Sequence, residues 1–341
     1  MGRRNKAYSK DMHQQAYDKL TGMHAFGDSK KDDKAYDREH ETDIVSGKIY
    51  SFNTHKTYWK HIKYFIKWVQ EKYPKCRTLK KAKKFVSEWL QTRVDQGLSA
   101  WTIQTEEAAL NKLFQIKKDD PERFQPPQRQ KKDIVRSRGT KVRDAHFSET
   151  KNQELVHFCK GCGFRRGVLE RLKGSDLYDR KSVEVALDKA KAENDQIMIK
   201  ACADALRTFP DKEYFILHRK DKGGKTRISP IVGPNIEKIV DRMRNTKPDE
   251  LVWKYVPSAC DVHGYRADYA TMLYNQYARP IESLNFRTKI RCADGKYRSE
   301  MYACRGDEKG KKLDRKALRV ISIALGHNRE DTAIANYIQN L

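Results

Sequence analysis

The chain has 341 residues, with 71 Lys and Arg residues against 46 Asp and Glu residues, a formal net charge of +25. It contains no apolar stretch of about 18 residues, which predicts no membrane span, and no secretory signal follows the basic N-terminus. Seven cysteines are too few for a disulfide framework in a chain of this length. We therefore expect a cytoplasmic protein of at least two domains that binds a polyanion, with nucleic acid as the first candidate.

The positive charge is distributed unevenly along the chain. Residues 1–45 carry 9 basic and 9 acidic residues and show little periodicity, which predicts a weakly ordered N-terminal arm. Residues 46–145 carry 24 basic and 10 acidic residues, whereas residues 146–341 carry 38 and 27. The middle segment therefore has the highest density of positive charge.

Residues 46–120 are predicted to form a helical domain. Three helical stretches follow the candidate N-caps Thr54, Thr78 and Ser99. Their predicted inward positions are Trp59, Ile62, Ile66, Val69, Phe85, Val86, Trp89, Leu90, Ile103, Leu110, Leu113 and Phe114. Their polar faces carry lysines with few acidic neighbours, namely Lys56, Lys60, Lys63, Lys67, Lys81, Lys83 and Lys84. We expect these lysines to contact the phosphates of DNA, although a solvated face is the simpler alternative.

A basic linker is predicted at 121–145. The segment has two adjacent prolines, few apolar residues, and seven basic residues from Arg129 to Arg143. Its candidate DNA-binding residues are Arg136, Arg138, Lys141 and Arg143. A basic linker between two basic domains is suited to wrapping a duplex.

Residues 146–341 are predicted to form a second domain that mixes helices with a small sheet. Ser148 is the candidate cap of a helix that ends near Gly161. Strands are predicted at 213–219 and 225–231, joined by a turn at 221–224. Further helices are predicted at 235–245, 262–277 and 314–326.

Four short motifs follow one another in this second domain. They are GlyCysGlyPheArgArg (161–166), LysGlyGlyLysThrArgIleSerPro (222–230), HisGlyTyrArg (263–266) and AlaLeuGlyHis (324–327), with Tyr337 ten residues beyond the last histidine. Each motif alone is weak evidence. In this order they resemble the phage-integrase-type tyrosine recombinases, and the resemblance covers residues 50–341. The stretch GlyLeuSerAlaTrpThrIle (97–103) also resembles the SAM-like core-binding domain of that family.

The resemblance implies a mainly α fold with a small β-sheet: a SAM-like helical core-binding domain at 46–120 and an α+β catalytic domain at 146–341. It implies a site-specific recombinase or integrase that cleaves and rejoins double-stranded DNA through a 3′-phosphotyrosine, without ATP, cofactor or metal. Two DNA sites and a homotetramer are expected. A mobile element of a prokaryote or phage is the implied context, with a directionality factor or a host DNA-bending protein as additional partners near the nucleoid.

The family's functional residues carry over position by position. Asp176 follows Arg165 by eleven residues, as in the family, which makes Arg165 the first catalytic arginine and Asp176 the supporting residue that orients it. Lys222 lies eight residues before Pro230, which favours it over Lys225 as the catalytic lysine, although the choice between the two stays open. The remaining matches are His263, Arg266, His327 and the nucleophile Tyr337.

These residue types suit phosphodiester transfer. A tyrosine hydroxyl can attack phosphorus and hold the DNA end covalently. Two arginines can donate paired hydrogen bonds to the non-bridging oxygens, where charge builds in the transition state. A lysine can protonate the leaving 5′ oxygen, and two histidines can move the tyrosine proton or bind the phosphate.

The sequence departs from the family pattern at several places. Val168 stands where the family usually has Glu, and Ala267 where it often has His. Arg266 and His327 are 61 residues apart, which predicts a basic insertion at 276–313 that contacts DNA or a neighbouring protomer. The family commonly has a further helix after the tyrosine, which leaves the contacts between protomers undetermined by the resemblance.

Other interpretations compete with the recombinase. A type IB topoisomerase or telomere resolvase keeps the chemistry but changes the outcome, and a non-catalytic DNA-binding protein keeps the fold alone. A zinc site at Cys159 and Cys162 is disfavoured because no second ligand pair lies nearby. GlyGlyLysThr (223–226) lacks the upstream glycine of a phosphate-binding loop.

Overall fold

The computed structural model describes residues 11–130, 133, 146–221, 224–292, 295–327 and 329–338. The chain divides into two compact units, of which the first ends at Arg129 and the second begins at Gln130. The start of the predicted linker packs on the first unit, because Gln104 Nε2 donates to the carbonyl oxygen of Pro127 at 2.7 Å and Arg123 pairs with Glu107 at 2.6 Å. The first compact unit therefore extends past the expected end of the helical domain at 120.

The first unit is a helical bundle. Its helices are α1 (Met12–Thr21), α2 (Lys30–His40), α3 (Ile44–Gly47), α4 (Phe52–Lys72), α5 (Leu79–Ala82), α6 (Val86–Asp95) and α7 (Ala100–Phe114), with a 3₁₀ turn at Lys83–Phe85. The predicted apolar faces form the core, and Ile62, Ile66, Leu90 and Leu110 are fully buried there. This burial confirms the helical periodicity of the sequence.

Two of the three predicted N-caps are confirmed. The hydroxyl of Thr78 accepts a hydrogen bond from Lys81 N, and that of Ser99 accepts one from Thr102 N. The Thr54 prediction is wrong, because Ser51 caps α4 and accepts from the backbone N–H of Thr54 at 3.2 Å. The helix therefore begins one turn earlier than the first large apolar residues suggested.

The prediction of a weakly ordered arm is wrong for residues 11–45. Asp11 caps α1, and Met12, Ala16 and Leu20 are buried in the core of the first unit. These three residues are four apart and lie on one helix face, so a sparse apolar stripe is sufficient to dock a polar helix. Residues 1–10 lie outside the described residues.

The second unit combines helices with small antiparallel sheets. Its elements up to α13 are α8 (Gln153–Cys162), α9 (Arg166–Leu169), β1 (Leu177–Asp179), α10 (Arg180–Ala192), α11 (Gln196–Thr208), β2 (Tyr214–Asp221), β3 (Lys225–Pro230), α12 (Ile236–Arg244) and α13 (Val262–Tyr277). The chain continues with β4 (Lys289–Arg291), β5 (Tyr297–Ser299), β6 (Met301–Ala303), β7 (Lys312–Asp314), α14 (Arg315–Ala324) and α15 (Glu330–Asn336). The expected mainly α fold with a small sheet is confirmed. Ser148 does not cap α8; its hydroxyl accepts from Lys151 N in a preceding turn.

The main sheet has the order β1–β2–β3, with both neighbouring pairs antiparallel. Its register is regular from Phe215 to His218 and shifts between His218 and Asp221. Lys220 has a φ of +47° at this bulge. Arg219 and Lys220 are exposed while Asp221 is buried, so the irregularity turns the Asp221 carboxylate inward.

Helices α13 and α14 form the centre of the second unit. Tyr269, Ala270 and Leu273 of α13 are fully buried in the same cluster as Leu318 and Ile321 of α14. This packing brings the first turn of α13 close to the end of α14, where two of the sequence motifs lie. Within the described part of the chain, no helix has both the length and the apolar character needed to cross a membrane.

Candidate active site

The first motif forms the end of α8. Gly163 has a φ of +61°, and a Cβ at this position would lie 2.4 Å from the ring of Tyr269. Both observations require glycine here. The next side chain, Phe164, is fully buried, and Arg165 then precedes α9 with Nη1 2.5 Å from Asp221 Oδ2. The buried turn thus fixes the direction of the Arg165 side chain.

Arg266 links the first and fourth motifs. Its side chain is fully buried; Nη1 donates to the carbonyl oxygen of Gly163, and Nη2 donates to that of Leu325 at 2.6 Å. Its guanidinium carbon lies 5.1 Å from the centroid of the Tyr337 ring. One arginine therefore connects α8, α13, the end of α14 and Tyr337.

Two histidines flank Tyr337. The ring centroids of His263 and Tyr337 are 5.1 Å apart, and those of His327 and Tyr337 are 5.3 Å apart. Gly326 has a φ of +69°, and a Cβ there would lie 2.8 Å from Arg227 Cδ, so this position also requires glycine. Tyr337 is 5% exposed at the end of α15. The structure thus gathers Arg165, His263, Arg266, His327 and Tyr337.

Positive charge is concentrated around these residues. Burial, followed by the charges of Arg266, Arg165 and Arg227, lowers the pKa of His327 to about 3. His327 is therefore neutral at neutral pH. Burial and the nearby Arg165 also lower the pKa of Lys225. Such a concentration of cations favours an anionic ligand.

Two polar atoms of this cluster have no hydrogen-bond partner. Arg266 Nε and His327 Nε2 are both buried and unpaired within the described residues. Buried polar groups are almost always satisfied, and exceptions call for an explanation such as a ligand. A phosphate oxygen could accept a hydrogen bond from each atom, since Arg266 is a donor and neutral His327 can carry its proton on Nε2.

The two candidate lysines differ in what the structure describes. Lys222 lies outside the described residues. Lys225 begins β3, and its Nζ donates to the carbonyl oxygen of Gly326 at 3.1 Å, next to His327. The start of β3 in the β2–β3 hairpin therefore reaches the cluster of residues around Tyr337.

Asp176, the expected orienting residue for Arg165, is buried and contacts a different arginine. Its Oδ1 accepts from Arg219 Nε at 2.7 Å, and its Oδ2 accepts from Lys173 N at 3.0 Å. Asp221 instead provides the carboxylate beside Arg165. The sequence comparison missed Asp221 because it belongs to β2 and not to the motif that contains Arg165.

Arg227 is a second residue that the sequence reasoning missed. It is buried; Nε lies 3.3 Å from Asp221 Oδ2, Nη2 is 2.8 Å from His218 Nδ1, and Nη1 donates to Ser229 Oγ at 2.9 Å. Burial, then the charges of Arg227 and Arg266, hold the pKa of His218 well below its ordinary value. Neutral His218 accepts from Arg227 at Nδ1 and donates from Nε2 to Ser229, 2.6 Å away. The signal available in the sequence was the position of Arg227, two residues after the candidate lysine Lys225 in the same hairpin motif.

The candidate DNA-binding lysines of the first unit all lie on its surface. Lys56, Lys60, Lys63, Lys67, Lys81, Lys83 and Lys84 are exposed. Lys67 lies 3.8 Å from Glu71, and Lys63 lies over the ring of Trp59. Arg136, Arg138, Lys141 and Arg143 lie outside the described residues.

No metal site is evident in the described ranges. They contain no group of three or more His, Cys, Asp or Glu residues placed to hold an ion. Cys159 and Cys162 are buried in the apolar core of α8 and the elements around it.

Residues 39–120 match the family described as "Phage integrase, N-terminal SAM-like domain". This match supports the tyrosine recombinase family for the chain, and the α-rich architecture with small antiparallel sheets fits it. Among solved structures, the chain is similar to one described as "Crystal structure of XerA recombinase", with 14% identity over 96% of this chain and 94% of that chain. The TM-score of that pair is 0.26. No curated protein matches the chain.

Proposed function

We propose that this chain is a site-specific DNA recombinase that cleaves and rejoins duplex DNA with Tyr337 as nucleophile. The observation that carries the proposal is the cluster around Tyr337, in which buried Arg266 Nε and His327 Nε2 lack hydrogen-bond partners among the residues that the structure describes. A phosphodiester is an anion that can offer two accepting oxygens to these atoms beside the tyrosine hydroxyl. The matched SAM-like domain supports DNA as the source of that phosphodiester.

The proposed reaction is a transesterification at one phosphorus. The Tyr337 oxygen attacks phosphorus, a tyrosine–phosphate bond forms, and the bond from phosphorus to the 5′ oxygen breaks. His263 takes the tyrosine proton, while Arg165 and Arg266 hold the non-bridging oxygens as negative charge builds on them. Religation reverses these steps, so the phosphate-ester bond is conserved and ATP is unnecessary.

Asp221 acts as a positioning residue in this proposal. It contacts Arg165 at 2.5 Å and Arg227 at 3.3 Å through the same oxygen, Oδ2. A shared carboxylate keeps two neighbouring guanidinium groups in place despite their repulsion. Arg165 is thereby directed towards the substrate before DNA binds.

A nicked suicide duplex tests the nucleophile. Tyr337→Phe should bind the duplex as the unaltered protein does but form no covalent adduct, because only the attacking oxygen is removed. Adducts are measured by denaturing gel electrophoresis. A persistent adduct in this variant would remove Tyr337 from the proposal, and absence of adducts in the unaltered protein on its cognate site would favour a non-catalytic DNA-binding protein.

The proton donor for the 5′ oxygen is Lys222 or Lys225, and a sulfur substitution distinguishes them. A bridging 5′-phosphorothiolate leaves as a thiolate, which is far less basic than an alkoxide and needs no proton. Alanine at the true donor should abolish cleavage of normal DNA and leave cleavage of the phosphorothiolate nearly intact. Alanine at the other lysine should affect both substrates equally.

The recombination outcome requires a separate test. We propose exchange between two sites in a tetramer, for the integration and excision of a mobile element. Exchange of flanking sequences between two duplexes supports this outcome. Relaxation of supercoiled DNA of any sequence would instead indicate a topoisomerase, and hairpin ends would indicate a telomere resolvase.

A further inference from the structure

The segment between α13 and α14 contains a hairpin that is tightly attached to the second unit. Arg279, just after α13, pairs with Asp314 and with Glu300, each at 2.8 Å. Asp314 is fully buried and Glu300 is 7% exposed. The β4–β5 hairpin therefore projects from a buried ionic cluster and not from a loose loop.

Contacts to α14 fix the hairpin further. Arg315 Nε donates to the carbonyl oxygen of Ser299 at 2.5 Å, and Arg319 Nη1 donates to that of Arg291. The backbone N–H of Arg315 also donates to the carbonyl oxygen of Glu300 at 2.8 Å. Because α14 leads directly to His327, the hairpin and the active-site cluster share one rigid element.

One face of this hairpin is basic and carries an aromatic residue. Lys289 and Arg291 are two residues apart in β4 and therefore point to the same side. Tyr297 stands directly opposite Arg291 in the antiparallel register and is 69% exposed. Arg287 precedes the strand and is also exposed.

The three cations of this face lack local neutralisation. Arg287, Lys289 and Arg291 have no carboxylate partner among the residues that the structure describes. Residues 286–298 contain five basic residues and one acidic residue. A cluster of like charges on a hairpin anchored to α14 repels itself and is stabilised by a polyanion.

We propose that Arg287, Lys289, Arg291 and Tyr297 form a phosphate-binding face that grips the backbone of duplex DNA. Arginine, lysine and tyrosine side chains commonly donate to phosphate oxygens, and such contacts fix the register of a protein on its duplex. This inference rests on the proposed function and adds a contact surface to it. A second copy of the chain is the weaker occupant, because each copy has a net charge of +25.

Salt dependence of binding provides the test. The triple variant Arg287→Gln, Lys289→Gln, Arg291→Gln is compared with Lys181→Gln, Lys189→Gln, Lys191→Gln, which removes three exposed cations from α10. Two of these α10 lysines are already paired, Lys189 with Glu193 and Lys191 with Asp188. Affinity for a fluorescein-labelled random-sequence duplex is measured by anisotropy across a salt series.

We expect the hairpin variant to lower the slope of log K against log salt by about 2 to 3, since each phosphate contact contributes about 0.9. The α10 variant should change the slope by less than about 1. Equal slopes for the two variants would overturn the inference, as would a hairpin variant that dissociates a dimer in sedimentation without changing its DNA slope. Adduct formation by the unaltered protein on its cognate suicide duplex reports the proposed function separately, so either idea can fail alone.

Discussion

The surface lysines of the first unit and the buried arginines of the second unit use positive charge in opposite ways. In the first unit, the candidate DNA-binding lysines are exposed on helices whose inner faces form an apolar core. In the second unit, Arg227 and Arg266 are almost completely buried and donate to backbone carbonyl oxygens at fixed distances. Exposed lysines bind through charge that salt screens, whereas buried arginines hold a geometry that salt barely affects.

This difference assigns separate properties to the two sets of residues. Loss of surface lysines should weaken binding gradually, because many phosphate contacts share the free energy. Loss of a buried arginine should stop the chemistry while leaving binding nearly intact, because few groups define the reacting geometry. Four predictions test this division, from the largest expected effect to the smallest.

Arg266→Lys should have the largest effect. Lysine keeps the charge but cannot donate simultaneously to the carbonyl oxygens of Gly163 and Leu325 and to a phosphate. Removal of one such transition-state donor typically costs about 100- to 1000-fold in rate. Single-turnover cleavage of the suicide duplex measures the effect, and a rate within tenfold of the unaltered protein would contradict the role of Arg266.

Asp221→Asn should reduce the cleavage rate by about tenfold to 100-fold with little change in DNA affinity, since it acts through Arg165 and not on the phosphate. It should also destabilise the fold by about 3 kcal/mol, because the buried Arg227 loses its counter-charge. Asp176→Asn is the matched control, since that carboxylate pairs with an arginine whose side chain is 58% exposed.

The cleavage rates of the two variants, compared at equal folded fraction, distinguish the roles of Asp221 and Asp176. If Asp176→Asn slows cleavage more than Asp221→Asn does, then Asp176 supports the active site as the family resemblance implied. The Asp221 assignment would then be wrong. Rescue of the Asp221 variant by Glu would indicate that the charge, and not the exact side-chain length, positions Arg165.

Sequence reasoning worked where a local pattern determines the structure. Periodic apolar residues located α4, α6 and α7, and the turn-forming Asp221–Gly224 segment located the β2–β3 hairpin. It failed where a contact joins distant segments. Asp221 meets Arg165 across 56 positions only because a bulge turns the carboxylate inward, and no local pattern encodes that meeting.

The N-terminal segment shows a different failure, because there the sequence predicted less order than the structure has. Its balanced charge suggested disorder, but Met12, Ala16 and Leu20 are enough to dock α1 on the core. Composition averages over both helix faces, whereas packing requires only one.

Four exposed lysines of α4 test the role of the surface charge. Replacement of Lys56, Lys60, Lys63 and Lys67 by glutamine should lower the salt slope of DNA binding by up to about 3.6, because each lost phosphate contact contributes about 0.9. Cleavage at saturating protein concentration should remain within a few-fold. The all-arginine version, which keeps the four charges, is the control and should bind normally. An unchanged salt slope would indicate that these lysines are solvated and do not contact DNA phosphates.

The smallest expected effect is a loss of folding stability in acid, caused by two histidines that lie beside the buried arginines. The pKa of His218 lies well below its ordinary value, and that of His327 is about 3, in both cases chiefly because of burial. In the unfolded chain each histidine has a pKa of about 6.5. As the pH falls below that value, the unfolded state binds protons that the folded state does not, so stability decreases by up to about 1.4 kcal/mol per pH unit for each histidine.

Urea unfolding between pH 7.5 and pH 5, roughly the interval that spans the ordinary histidine pKa, measures this loss while most carboxylates stay ionised. His327→Gln and His218→Gln should each make stability less dependent on pH, and the double variant should combine the two changes. Glutamine can still accept from Arg227 and donate to Ser229 at position 218, so the network survives the loss of titration. If both variants retain the full pH dependence, burial and the neighbouring arginines do not keep these histidines neutral. The proposed hydrogen bond from neutral His327 to a phosphate oxygen would then lose its basis.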